Sequence, residues 1–431
     1  MRTRPHVGRL VGTAAATFAF VVVPQAPVAT AAVPSAGTAD QCTFPGKTYE
    51  GRPWALQRVL LDEVWKQSMG EGVRVAVIDT GVDVKNRQLA PAVDVRKGRN
   101  FLSPNLTDDN GNKIERGRDD GTTDVVGHGT KVAGIIAARP AKGTGFVGLA
   151  PKATIIPIQQ NDAEGHGDTE SLAAAINYAT READADIINI SQDTVNPIDS
   201  TSELKTAVDN ALARDIVIVA SAGNDGLGGN VKETYPASYE GVLAVAAADR
   251  NNERAVFSQS GEFVDVAAPG VDMVSTVPGG GHCADNGTSF SAPYVAGVAA
   301  LIKAKHPRWT QEQITAQIMQ TAERSIPGHD RLVGWGVVDP VRALTEDDKP
   351  IEHPVPSNQG AGQAPAVAQL PLGETPQERA VRLGTYVVVG SLVLVAVIGG
   401  GAVAGRDARR RTASGKASGN APGKASGNAS A

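Results

Sequence analysis

Six short apolar runs punctuate the middle of this chain: Val73–Ile78, Thr154–Ile158, Ile187–Ile190, Ile216–Ala220, Val242–Ala247 and Val264–Ala267. They are too short for buried helices and lack the polar alternation of half-exposed strands. Each is therefore expected to be a strand covered on both faces. Segments with helical spacing fall between them, among them Thr169–Ala183 and Ser202–Arg214, with Asp168 and Thr201 or Ser202 as caps. Thr310 and Gln313 form a capping-box pattern that opens a last helix through about Thr321. Repeated units of this kind predict an α/β fold, a three-layer sandwich with a mainly parallel central sheet.

Three polar segments sit where such a fold places its chemistry, at strand ends and helix starts. The first apolar run ends in Asp79-Thr80-Gly81. Gly127-His128-Gly129-Thr130 precedes Val132, Ile135 and Ile136, a helical stripe. Asn286-Gly287-Thr288-Ser289 precedes another, Tyr294, Val295, Val298, Leu301 and Ile302. A serine hydroxyl does not ionise near neutral pH, so Ser289 needs a base, and His128 titrates in the right range. Asp79 would hold the imidazole tautomer and stabilise the imidazolium. Pro293 fits a helix beginning near Ser289 if it falls in the first turn. The chain order Asp, His, Ser is the subtilisin arrangement of a catalytic triad.

The two ends carry membrane signals. Arg2, Arg4 and Arg9 precede an apolar stretch from Leu10 to Val23, and Ala29-Thr30-Ala31 follows as a cleavage site. This pattern predicts a signal peptide over residues 1–31. Near the other end no charge occurs between Arg382 and Arg406, which predicts a transmembrane helix over 383–405. Arg406, Arg409, Arg410 and Arg411 follow at once, so the positive-inside rule places the tail 406–431 in the cytoplasm and the rest outside. That tail repeats Gly-Lys-Ala-Ser-Gly-Asn-Ala from Gly415 and Gly423 and reads as low complexity. Residues 348–382, rich in Pro, Gln, Gly and Ala, read as an extended tether. Cys42 and Cys283 are the only cysteines of a chain expected to mature outside the reducing cytosol, so one disulfide is expected between them. The net charge of −5 and few aromatics give no footprint for nucleic acid. His282 beside Cys283 lacks a second pair at ligand spacing, so no metal or cofactor is expected.

Over roughly residues 50–345 the chain resembles the subtilisin-like serine peptidases. The segment Ser221-Ala222-Gly223-Asn224 after the fourth strand matches a family motif whose asparagine donates its amide to the oxyanion, and the resemblance implies that role for Asn224. Within the family it is most similar to the mycosins, membrane-anchored proteases of type VII secretion systems. The carriers are Arg52-Pro53-Trp54-Ala55-Leu56-Gln57-Arg58, Gly134-Ile135-Ile136-Ala137-Ala138-Arg139-Pro140, Tyr235-Pro236-Ala237-Ser238-Tyr239 and Gly334-Trp335-Gly336-Val337-Val338-Asp339-Pro340. The resemblance implies a peptidase domain over 53–347 and, as partners, exported protein substrates and membrane components of a secretion system. About twenty residues separate the predicted cleavage from Trp54, too few for an independent inhibitory domain. The segment 32–52 is therefore read as an extension that packs on the protease and stays.

Two features depart from the wider family. After Ile187–Ile190 the chain reads Ser191-Gln192-Asp193 rather than Ser-Leu-Gly, so the pocket chemistry does not transfer. Lys131 follows the His128 motif where a neutral residue is common, and it is expected to face solvent. The charged span Val95–Asp124 is expected to be a solvated insertion, and its Asp108-Asp109-Asn110-Gly111-Asn112 does not match an EF-hand loop. His166 is expected to lie in a loop. The functional expectation is a tethered serine endopeptidase with few substrates that also stabilises the secretion complex. The alternatives are a mainly structural component and a general surface subtilisin.

Overall fold

Alternate side chains of each strand enter different cores, which explains why the strands are apolar throughout. Val75 and Val77 of β1 (Arg74–Asp79) join one buried cluster, while Ala76 and Ile78 join another. The same alternation runs through β3 (Thr154–Gln159), β4 (Ile187–Ile190) and β5 (Val217–Ser221). With β2 (Arg99–Asn100), β6 (Leu243–Ala248) and β7 (Val266–Pro269) they form a seven-stranded parallel sheet of order β2-β3-β1-β4-β5-β6-β7. In this computed structural model the described residues are 42–105, 113, 116–162, 167–192, 202–229, 232–356 and 376–416.

The first core lies under α3 (His128–Ala137) and α6 (Thr288–Lys305), with α1 (Trp54–Gln57), α2 (Leu61–Gln67), α7 (Gln311–Thr321) and α8 (Pro340–Thr345) at its rim. The second lies under α4 (Thr169–Arg181) and α5 (Glu203–Leu212). These are the three layers expected. The caps are also as expected: Asp168 and Ser202 accept from backbone N–H groups of α4 and α5, and Thr310 and Gln313 close a capping box. α6 is buried on every face from Phe290 to Ile302. Each large apolar side chain so buried contributes about 1.5–3 kcal/mol, which makes α6 a firm mount for Ser289.

Two expectations need correction, and a third feature had no expectation. The span from Val95 is not simply a solvated loop. Its Val95–Lys97 turn leads into β2, the edge strand of the sheet. The Asn100 amide donates to Arg116 O, Arg118 O and Gln159 Oε1, which ties the returning chain to β3. Residues 108–112 lie outside the described residues. The second correction concerns Pro293, which falls in the second turn of α6 rather than the first. Its missing N–H would have bonded the Ser289 carbonyl; the Ser191 hydroxyl donates to that oxygen instead, at 3.0 Å. The third is an antiparallel hairpin, β8 (Met273–Thr276) and β9 (His282–Asp285), that no sequence pattern had suggested.

The chain divides into two compact units on either side of Gln359. The second contains α9 (Pro376–Lys416). Its stretch Arg379–Arg410, with mean hydropathy 2.5 over its most apolar window, is long and apolar enough to cross a membrane. The expected signal peptide and His166 lie outside the described residues.

Candidate active site

Asp79 ends β1 where the strand order turns, between β3 and β4, and its carboxylate is almost fully buried. His128 Nδ1 donates to Asp79 Oδ1 at 2.7 Å, and the Thr80 N–H donates to the same oxygen at 2.8 Å. This bond fixes the neutral tautomer, so Nε2 is left as the acceptor on a ring whose side chain is 27% exposed. Two glycines permit the approach. A Cβ at Gly129 would lie 2.2 Å from the Gly81 carbonyl oxygen and 3.1 Å from Asp79 Oδ1. Gly81, at φ +102°, would likewise meet Thr123 O at 2.1 Å. A larger residue at Gly129 would therefore push α3 away from β1, and one at Gly81 would displace the loop at Thr123.

A third carboxylate organises the same corner. Asp124 is buried and accepts from Thr80 Oγ1 at 2.9 Å, Gly127 N at 2.7 Å, Thr130 N at 2.8 Å and Thr130 Oγ1 at 2.5 Å. Thr80 Oγ1 in turn accepts from the Gly129 N–H at 3.0 Å. Asp124 thus locks the start of α3 to the residue after Asp79. Burial pushes its carboxyl up to about 6, against the pull of these donors and with the Asp79 charge adding to the rise. For His128, burial presses downward, yet the charge and hydrogen bond of Asp79 and the charge of Asp124 leave it raised above the ordinary imidazole value. Lys131 opposes that rise.

Ser289 stands in the first turn of α6, and its neighbour Phe290 lays its ring 5.2 Å from the His128 ring. Among the described residues no hydrogen bond joins Ser289 to His128; a hydroxyl and a base commonly come into hydrogen-bond contact only when substrate closes a site. Ser191, which supports the Ser289 carbonyl, also lines a cleft of about 280 Å³ with Asp79, Thr80, Val126, His128, Asn161 and Gln192. Asn224, just beyond β5, accepts the Thr288 N–H at 2.9 Å and the Thr288 hydroxyl at 3.0 Å on Oδ1. Its Nδ2 amide is thereby turned to the Gly287 side, at the mouth of α6. The four residues singled out by motif therefore gather at one end of the sheet.

Residues 70–336 match the subtilase family of peptidases. The chain belongs to the subtilase family. This subtilase is 36% identical to Subtilisin Savinase of Lederbergia lenta over 288 residues, 67% of the chain and 96% of that relative. Its structure matches that of the MycP3 protease from the type VII (ESX-3) secretion system, with a TM-score of 0.60 and 33% identity over 71% of this chain and 91% of that one. It also matches the serine protease MycP1, described as an essential component of the type VII (ESX-1) secretion system, with a TM-score of 0.60 and 31% identity over 71% and 92% of the two chains. The subtilase is a serine endopeptidase whose structural neighbours are mycosins, as its motifs implied.

Two parts of the site escaped the sequence reading. Lys131 does not face solvent: its side chain is 7% exposed, its Nζ lies 2.7 Å from Asp285 Oδ2, and it sits 5.8 Å from the Phe290 ring centroid. The reversal follows from β9, which brings Asp285 over α3. Asp124 was also missed, although an acidic residue ahead of a helix start is a recognisable cap signal. Cys42 and Cys283 are joined, with Cα atoms 6.0 Å apart. Both ring nitrogens of His282 are engaged: Nδ1 accepts the Tyr49 N–H at 3.1 Å and Nε2 donates to Gln88 Oε1 at 2.8 Å.

Proposed function

We propose that Asp79, His128 and Ser289 are the catalytic triad and that Asn224 is an oxyanion donor. His128 Nε2 takes the proton from Ser289 Oγ as it attacks the scissile carbonyl, then returns it to the leaving amine. Asp79 holds Nδ1–H and stabilises the imidazolium. The Asn224 amide and the partial positive charge at the start of α6 meet the developing oxyanion. Water then hydrolyses the acyl-enzyme by the same route reversed. The observation that carries this reading is the 2.7 Å bond from His128 to Asp79, made on a cleft also lined by Ser191, whose hydroxyl donates to the Ser289 carbonyl.

In this reading the chain is a tethered enzyme. Residues 1–31 are the signal peptide, 32–52 the retained extension, 53–347 the peptidase domain, 348–382 the linker, 383–405 the membrane span and 406–431 the cytoplasmic tail. The charge step at Arg406 supports an outward-facing protease. The likeness to MycP3 supports substrates that leave the cell through a type VII system, and the polar lining of Asn161, Ser191 and Gln192 supports a narrow choice among them.

A second role as a structural part of the secretion complex is favoured by what MycP1 is said to be. Ser289→Ala separates the two in cells. Processing of exported proteins is expected to stop while their export continues. Processing that persists in the variant would overturn the nucleophile assignment, and export that stops in a folded variant would remove the independent scaffold role.

A further inference from the structure

Lys131 follows His128 by three residues on α3, so the two side chains share a face of the helix. A buried ammonium is tolerated only with a counterion, and Asp285 supplies it from β9. The same residue is held from its other end, because its carbonyl oxygen accepts the Ser275 hydroxyl of β8 at 2.6 Å. Its charge lies 5.8 Å from the Phe290 ring centroid, and the same ring lies 5.2 Å from the imidazole, so both groups share one aromatic neighbour. Packing alone would be met by a Met at this position. A charge at this spot therefore calls for an electrostatic account.

We propose that Lys131 and Asp285 are a positioning pair for the catalytic base: Lys131 holds Phe290 against His128, and Asp285 sets how much of the ammonium's charge the imidazole faces. The charged groups facing His128 are Asp79 from β1, Asp124 from the loop before α3, Lys131 from α3 and, through Lys131, Asp285 from β9. α6 contributes only the neutral Phe290. Two anions favour the imidazolium and one cation disfavours it, so removing each member of the pair acts in an opposite direction. Loss of Lys131 makes the ring easier to protonate, and loss of Asp285 leaves the cation unneutralised and makes it harder.

The inference rests on His128 acting as the base for Ser289. Its test is the rate of phosphonylation by a fluorophosphonate probe in the full-length, membrane-inserted chain, followed across the range where imidazole titrates. In Lys131→Met the acid limb is expected to move to higher pH by roughly half a pH unit, and in Asp285→Asn to lower pH by a similar amount. Lys131→Arg is expected to keep the wild-type limb, and the double variant to fall between the two single ones. Limbs that stay in place, or that move in the same direction, overturn the proposal. Asp285 is partly exposed, so Asp285→Asn decides alone if Lys131→Met does not fold. A wild-type chain that the probe does not label at Ser289 would instead overturn the triad reading.

Discussion

Asp124 carries the carboxylate that ties the residue after Asp79 to the helix that starts with His128. Its carboxyl is pushed up to about 6 by burial, close to the range in which His128 also takes up a proton. Protonation would turn an acceptor of the Thr80 and Thr130 hydroxyls into a competing donor. Activity is therefore expected to fall on the acid side more steeply than one ionisation allows, as kcat/KM against pH would read. Asp124→Asn is expected to lose about 10–10²-fold in kcat, the scale of a small misplacement of a base, and its acid limb should become that of one group. A wild-type limb with single-proton slope would contradict this coupling. Asn224→Ala is a separate case, because as the proposed oxyanion donor its amide would face charge that exists only during reaction. Its turnover should fall about 10²–10³-fold with KM nearly unchanged. The motif residues were legible because an acid, a base and a hydroxyl beside glycines form a local pattern. Asp124 and Lys131 were harder to read because their partners, Thr80 and Asp285, come from other segments.

Among the elements, the strands and main helices were legible because their apolar period is a property of each segment alone. The hairpin of β8 and β9 was not, since His282-Cys283-Ala284-Asp285 alternates poorly and its order comes from what packs on it. That partner is the N-terminal extension. Beyond the Cys42–Cys283 link, Gly46 N–H donates to Gly280 O and His282 N–H to Lys47 O, each at 2.9 Å, and Thr144 Oγ1 donates to Tyr49 O. His282 lies in this seam, and burial holds it down to about 4. An unfolded histidine takes up a proton near pH ~6.5, so from there down to about 4 the unfolded chain binds more protons. The stability held by neutral His282 is thus complete above that range and lost as pH falls through about 4. Of this, about 2 kcal/mol at most is lost between neutral pH and pH ~5. Thermal unfolding should show a drop in Tm between neutral pH and pH ~5 that is smaller in His282→Gln. An equal drop in both proteins would place the acid sensitivity elsewhere.

At the scale of the whole molecule, the catalytic unit has its own cores, and the apolar face of α9 has none: residues from Val387 to Val403 stand exposed along it. A helix apolar on all sides over such a length has the composition of a membrane span. The linker begins against the catalytic unit, since the Val355 N–H donates to Gln320 Oε1 at 2.7 Å, so the described part of unit one extends to Pro356. A chain ended after Pro356 should therefore keep both cores and the cleft while losing its membrane partner. It is expected to leave the membrane fraction for the medium and to react with a fluorophosphonate at a rate within about twofold of the full chain, because the residues of the site all belong to the first unit. Processing of an exported substrate in cells should nevertheless fall, since tethering beside an export site raises the local concentration of enzyme far above that of a released one. Retention of the shortened chain in the membrane fraction would mean that another surface holds it there. Undiminished processing by the released chain would mean that the anchor serves the complex rather than the cleavage.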